Sequence, residues 1–241
     1  MGALVGGLLK THVPRPSQIE VQVHQDRTQE GRCDEGFVRV RRFVLKNRYP
    51  DGSWSEPYPY DVVERSATDA VAIVLYDVVD DVPVVCLRSA LRPPLSFRPG
   101  YELPVVADGD TVIWEIPAGL IEADEKGEAG ILGCAARETL EETGLDEPVG
   151  AFRLLGPPAA LSPGVLAETV YFVVGKVDTV RRGEPTSDGS PVEAFAEVLF
   201  VPLSVALRAV EDGTVRDVKT EVGLRRFAAF WAERKEASAK S

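Results

Sequence analysis

Nine consecutive residues, Arg137–Leu145, constrain this chain more than any others: they read Arg-Glu-Thr-Leu-Glu-Glu-Thr-Gly-Leu. On a helix of 3.6 residues per turn, Glu138, Glu141 and Glu142 fall within an arc of roughly 100°. Gly144 stands where a left-handed cap would end that helix. Like charges at these spacings repel, so such a face needs solvent, basic groups or a hard cation such as Mg²⁺ to compensate it. Arg137, four residues before Glu141, offsets part of the repulsion. In isolation a solvated acidic face would account for three such glutamates, and the surroundings of the helix decide otherwise.

Upstream, Val38–Lys46 and Tyr58–Arg65 read as extended segments around the turn dipeptide Asp51-Gly52. They predict a small antiparallel β element, too small for a secure core of its own and in need of a neighbour. From Asp69 the pattern changes. Ala70–Tyr76 and Val82–Leu87 predict a hairpin across the acidic turn Asp77–Asp81, and a Gly/Pro-punctuated insertion follows over 95–110. Strand patterns recur at Thr111–Ile116, Ala151–Leu155, Val170–Val177 and Ala196–Val201, with Pro117-Ala118-Gly119 breaking the first. The acidic helix is expected from about Glu128 to Thr143, and later helices near Ser204–Asp212 and Thr220–Glu233. These boundaries divide the chain into an N-terminal β element (1–66), a catalytic domain (67–233) and a disordered tail (234–241).

The 241 residues are 44% hydrophobic and 27% charged, ordinary for a folded globular chain. A net charge of −11 argues against nucleic acid or an anionic membrane as the main partner. No apolar stretch approaches the roughly 20 residues of a spanning helix, and the start lacks a signal-peptide pattern, so the expected location is cytoplasmic. Cys33, Cys86 and Cys134 are scattered and odd in number, which indicates neither a disulfide framework nor a zinc site.

Glu-Ile-Pro-Ala-Gly-Leu-Ile-Glu at 115–122, followed by Arg137–Leu145, resembles the Nudix signature G-x5-E-x7-R-E-U-x-E-E-x-G-U, where U is a bulky apolar residue. There are two departures. Thr139 replaces the first U, and the stretch from Gly119 to Arg137 is four residues longer than the signature. Glu128 is the more natural first glutamate of the box and Glu125 the alternative, either serving as ion-pair partner of Arg137. Leu-Arg-Pro-Pro at 91–94 and Ser-Pro-Gly at 162–164, with Glu168 beyond, resemble the ADP-ribose pyrophosphatase and nucleoside diphosphate sugar hydrolase branch.

The resemblance implies an α/β fold, an α/β/α sandwich with a mixed sheet plus the small N-terminal β element, in a homodimer where that element reaches the partner's pocket. It implies Mg²⁺, with Mn²⁺ as substitute, held by Glu138, Glu142 and the carbonyl of Ala118. Glu141 becomes a further ligand or water-orienting group, and Arg137 the ion-pair anchor of this catalytic set. Arg88, Arg92, Arg65, Glu115 and Glu168 are implied substrate contacts. The proton acceptor is placed in the loop before the last strand, at Glu193 or, in reserve, Glu197. Phe37, Trp54 and Tyr60 are candidates for stacking on a base.

The expected reaction is Mg²⁺-assisted hydrolysis of ADP-ribose to AMP and ribose 5-phosphate, with other nucleoside diphosphate sugars as the alternative. A different class, a nucleotide-binding sensor or interaction module without catalysis, usually lacks a needed carboxylate. Here Glu138, Glu141 and Glu142 are all present.

Overall fold

The computed structural model describes residues 10–18, 36–105, 109–186 and 189–239. Cys33 lies outside them. The N-terminal element consists of β1 (Val38–Leu45) and β2 (Tyr58–Arg65), paired antiparallel from Val38↔Arg65 to Leu45↔Tyr58. Gly52 takes a left-handed φ of 87° in the intervening loop, as its turn position requires.

The main sheet begins with β3 (Ala70–Val79) and β4 (Val82–Leu91), joined by Asp80 and Asp81, both at positive φ. That geometry matches the right-handed twist of a two-residue hairpin, and aspartate tolerates it better than most residues. A 3-10 segment, Pro93–Gly100, occupies the first part of the insertion. Then come β5 (Val112–Glu115), β6 (Ala118–Leu120), helix α1 (Gly127–Thr143), β7 (Phe152–Leu154) and β8 (Val170–Lys176). The chain ends with β9 (Val198–Pro202), α2 (Leu203–Glu211) and α3 (Val218–Ala239).

The seven strands form one mixed sheet in which β3 and β8 run parallel and the other pairs antiparallel. β5 pairs with β4 at Arg88–Leu91 and β6 with β3 at Ala70–Ala72, so Glu115–Ala118 links the two strands. Strand periodicity sends alternate residues of β3 to opposite layers. Val71, Ile73 and Leu75 join Cys134, Ala135 and Leu145 under α1, whereas Ala72, Val74 and Tyr76 pack with Leu224 and Phe227 of α3. Burial on both faces explains the unbroken apolar run of β3. The result is the expected α/β/α sandwich.

The structure adds three details that differ from the sequence reading. β6 is a strand where Pro117-Ala118-Gly119 suggested a break. Pro117 lacks an N–H, but its carbonyl accepts Ile73 N at 2.8 Å, and pairing with β3 carries the strand onward. α3 continues to Ala239, over most of the expected tail, because nothing after Glu233 breaks a helix. Finally, residues 10–18 pack along β5: Val13 is buried, Trp114 Nε1 donates to Pro14 O at 2.7 Å, and Gln18 bonds the backbone of Thr111 and Val112. Among the described residues no helix is long and apolar enough to cross a membrane.

Candidate active site

α1 carries the acidic face to the sheet. Gly144 ends the helix with a φ of 73°, and a Cβ there would also collide with the backbone of Gly183, so glycine is required twice over. Thr139 sits fully buried at the position where the signature has an apolar side chain. Its hydroxyl donates to Ala135 O at 2.6 Å, which satisfies the polar atom within the helix.

Arg137 organises one side of the site. Nη1 donates to Glu138 at 2.7 Å and Glu141 at 3.2 Å, Nε to Glu125 at 3.2 Å, and Nη2 to Leu120 O at 3.2 Å. Glu125 therefore takes the ion-pair position, and Glu128 lies exposed in the first turn of α1. The loop accounts for this, because the Glu125 carboxylate also accepts Glu122 N at 2.7 Å and is folded back towards the helix. Burial acts to raise the Glu125 pKa, but hydrogen bonds from Arg137 and the Glu122 backbone outweigh it and hold the group below its ordinary value.

Arg88 organises the other side. It rises from β4 opposite Glu115 of β5, and is buried. Nη1 lies 3.0 Å from Glu142 and Nη2 3.4 Å from Glu193, while Nε is buried with no hydrogen-bond partner among the described residues. Glu142 also accepts Ala118 N at 3.0 Å. Burial, aided by repulsion from Glu138 and Glu193, pushes the Glu142 pKa up to about 8 against the pull of Arg88 and Ala118 N. Burial likewise raises Glu138, with Glu141 and Glu193 adding to it and Arg137 opposing.

Glu138, Glu141, Glu193, Arg137, Ala118 and Gly119 line an open cleft of about 620 Å³. A Cβ on Gly119 would overlap the Glu138 carboxylate, so glycine here leaves that side chain its place in the cleft. Arg92 and Glu115 adjoin the cleft through a small hollow shared with Arg88, Ala118 and Glu142. Arg92 grips Glu115 with two bonds of 2.7 Å. Burial works to raise the Glu115 pKa, but Arg92 and Lys219 overcome it and hold the carboxyl down at about 2.

Other expected site residues stand apart. Arg65 pairs with Glu168 and donates to Ala67 O at 2.8 Å, in a separate hollow of about 280 Å³ beside β2. Phe37, Trp54 and Tyr60 are exposed on the β1–β2 element and do not line the cleft. Glu197 turns away, its carboxylate accepting Ser17 N at 3.2 Å, which leaves Glu193 as the loop carboxylate facing the site. Lys219, unremarked in the sequence, meets Glu115 from the start of α3 and is itself paired with Asp217 just before that helix. No local pattern announces Lys219, because only the docking of α3 on the sheet brings it there.

Among the described residues, no three His, Cys, Asp or Glu side chains converge on one point in the way a metal ion would hold them. Glu138 is turned to Arg137 and Glu142 to Arg88. The donor set nevertheless suits a hard divalent cation. It offers carboxylates crowded by burial and mutual repulsion, with Ala118 of β6 beside them.

Fold and site together define an α/β/α sandwich built around an acidic helix. Residues 66–219 match the NUDIX domain, and the chain belongs to the Nudix family. Similar proteins include the GDP-mannose pyrophosphatase of Klebsiella pneumoniae, 37% identical over 116 residues, which are 48% of this chain and 54% of that protein. Those of Salmonella arizonae (36% over 112 residues; 46% and 53%) and Citrobacter koseri (35% over 106 residues; 44% and 50%) are alike. The chain spans about half the length of the curated relatives it matches.

Proposed function

We propose that this protein hydrolyses the diphosphate bond of a nucleoside diphosphate sugar with the aid of a divalent cation. The observation that carries the reading is the Glu142–Arg88–Glu193 array, its first two members buried, beside Glu138 and Glu141. Such a concentration of carboxylates, two of them with raised pKa, is unfavourable for the fold alone and serves a site that binds cations and phosphate.

In this reading Glu138, Glu142 and the carbonyl of Ala118 hold Mg²⁺, or Mn²⁺ in its place. Bound there, the cation supplies neutralisation of the diphosphate and a lowered pKa for attacking water. Arg137 keeps Glu138 and Glu141 in register, and Glu141 orients the water or adds a ligand. Glu193, carried on the loop before β9, accepts the water's proton. Arg88, with one donor unsatisfied, and Arg92 bind phosphate oxygens.

The names of the relatives favour GDP-mannose over ADP-ribose as the first substrate to test. Turnover with Mg²⁺ is to be compared across GDP-mannose, ADP-ribose, ADP-glucose and UDP-glucose by chromatography of the nucleotide products. The expected result is a nucleoside monophosphate and a sugar phosphate from at least one of them, GMP and mannose 1-phosphate if GDP-mannose is preferred. No release from any of the four would refute the reading, and activity on ADP-ribose alone would restore the expectation drawn from the sequence.

A further inference from the structure

Four charged side chains outside the acidic helix form a connected series that ends beside the cleft. Asp217 accepts Thr220 N at 2.9 Å and the Thr220 hydroxyl at 2.6 Å, and Ile116 N donates to that hydroxyl oxygen at 2.9 Å. The start of α3 is thereby fastened to the backbone between β5 and β6. Lys219 lies 3.0 Å from Asp217 and donates to Oε2 of Glu115. Glu115 in turn receives both bonds from Arg92. Only the last member is open: the Arg92 side chain is 46% exposed, against 13% for Asp217, 14% for Lys219 and 4% for Glu115.

A carboxylate bonded only by one guanidinium is free to turn with it. Glu115 is instead shared, with Lys219 bonded to the same oxygen that receives Arg92 Nη2. We propose that Lys219 is a positioning residue for diphosphate binding. By bonding Glu115, while itself held by Asp217, it fixes the carboxylate that aligns Arg92. The exposed guanidinium is held in one orientation beside the hollow it shares with Arg88, Ala118 and Glu142. The inference deepens the proposed function and rests on it, since it names how a phosphate-binding arginine of that same site is held.

The test compares the full chain with Lys219→Met, which keeps the aliphatic stem and removes the charge. GDP binding measured by calorimetry at low salt in EDTA is expected to weaken about tenfold, and Lys219→Arg to recover to within about threefold of wild type. In hydrolysis assays KM should rise about tenfold with kcat within about twofold, because ground state and transition state lose the same contact. In an Arg92→Met background, Lys219→Met should add nothing. A merely structural lysine would lower kcat and the melting temperature together and show no such dependence on Arg92. If Lys219→Met does not fold, Lys219→Gln takes its place.

Unchanged GDP affinity in the variant, or an equal loss in the Arg92→Met background, would overturn the assignment. So would a wild-type chain with no affinity for GDP. A wild-type chain that binds GDP but hydrolyses no nucleoside diphosphate sugar would remove the proposed activity, and the binding arm would still decide the role of Lys219.

Discussion

Glu142→Gln is expected to lower turnover by about three orders of magnitude while leaving the fold intact. The substitution retains shape and an oxygen that can accept Ala118 N, so the β6–α1 contact survives. What it removes is a charge that the fold holds at a cost. Burial and the neighbouring Glu138 and Glu193 raise the pKa of Glu142, so that the folded protein would be served as well by a neutral group. Melting temperature should accordingly stay within a few degrees of wild type or rise, the usual trade of stability against activity at such sites. Steady-state kinetics and a thermal melt on one preparation check both parts. Wild-type turnover would refute the metal-holding role, and a collapsed melt would mean that the Arg88–Glu142 pair holds up the fold.

The second large effect is expected at the loop carboxylate. Glu193→Gln should reduce kcat by about 10²–10⁴, the range associated with loss of a positioned general base. The structure supplies an internal control four residues away. Glu197 turns its carboxylate to the backbone of Ser17, and Glu197→Gln should therefore keep kcat within about threefold. Arg88 explains why the two glutamates differ, since its Nη2 draws Glu193 towards the cleft while Nη1 holds Glu142. If Glu197→Gln proved the damaging change and Glu193→Gln the mild one, the assignment of the proton acceptor would be reversed.

Much of this was legible before any fold was in view. The α1 register, the Gly144 cap and the β3–β4 hairpin all follow from spacings within one element or its turn. Local chemistry fixes such features, and local sequence therefore carries them. What the sequence concealed depends on contacts distant along the chain. β6 is only three residues long and exists because β3 lies beside it. The choice of Glu125 over Glu128 turns on how the lengthened loop folds back to Arg137, through a hydrogen bond to Glu122 N that no spacing rule predicts. Lys219 reaches Glu115 across 104 positions of sequence, so neither residue advertises the other. Arg65 and Glu168, expected among the substrate contacts, find each other beside β2 in a hollow apart from the cleft.

The same contrast applies to the acidic face. Sequence spacing groups Glu138, Glu141 and Glu142, and the fold does bring them to one region with Glu193. It also gives each carboxylate an arginine: Arg137 for Glu138 and Glu141, Arg88 for Glu142 and Glu193. The two arginines provide, within the protein, the positive charge that the proposed cation would bring. Binding a cation therefore requires Glu142 to exchange Arg88 for the ion, which frees Arg88 for a phosphate.

That exchange is the most direct test of the account. Crystals soaked with Mn²⁺ and GDP, measured at a wavelength where manganese scatters anomalously, should show a peak bounded by Glu138, Glu142 and the carbonyl of Ala118, with Arg88 turned from Glu142 towards the diphosphate. An absent peak, with the Arg88–Glu142 pair still closed over bound nucleotide, would contradict it.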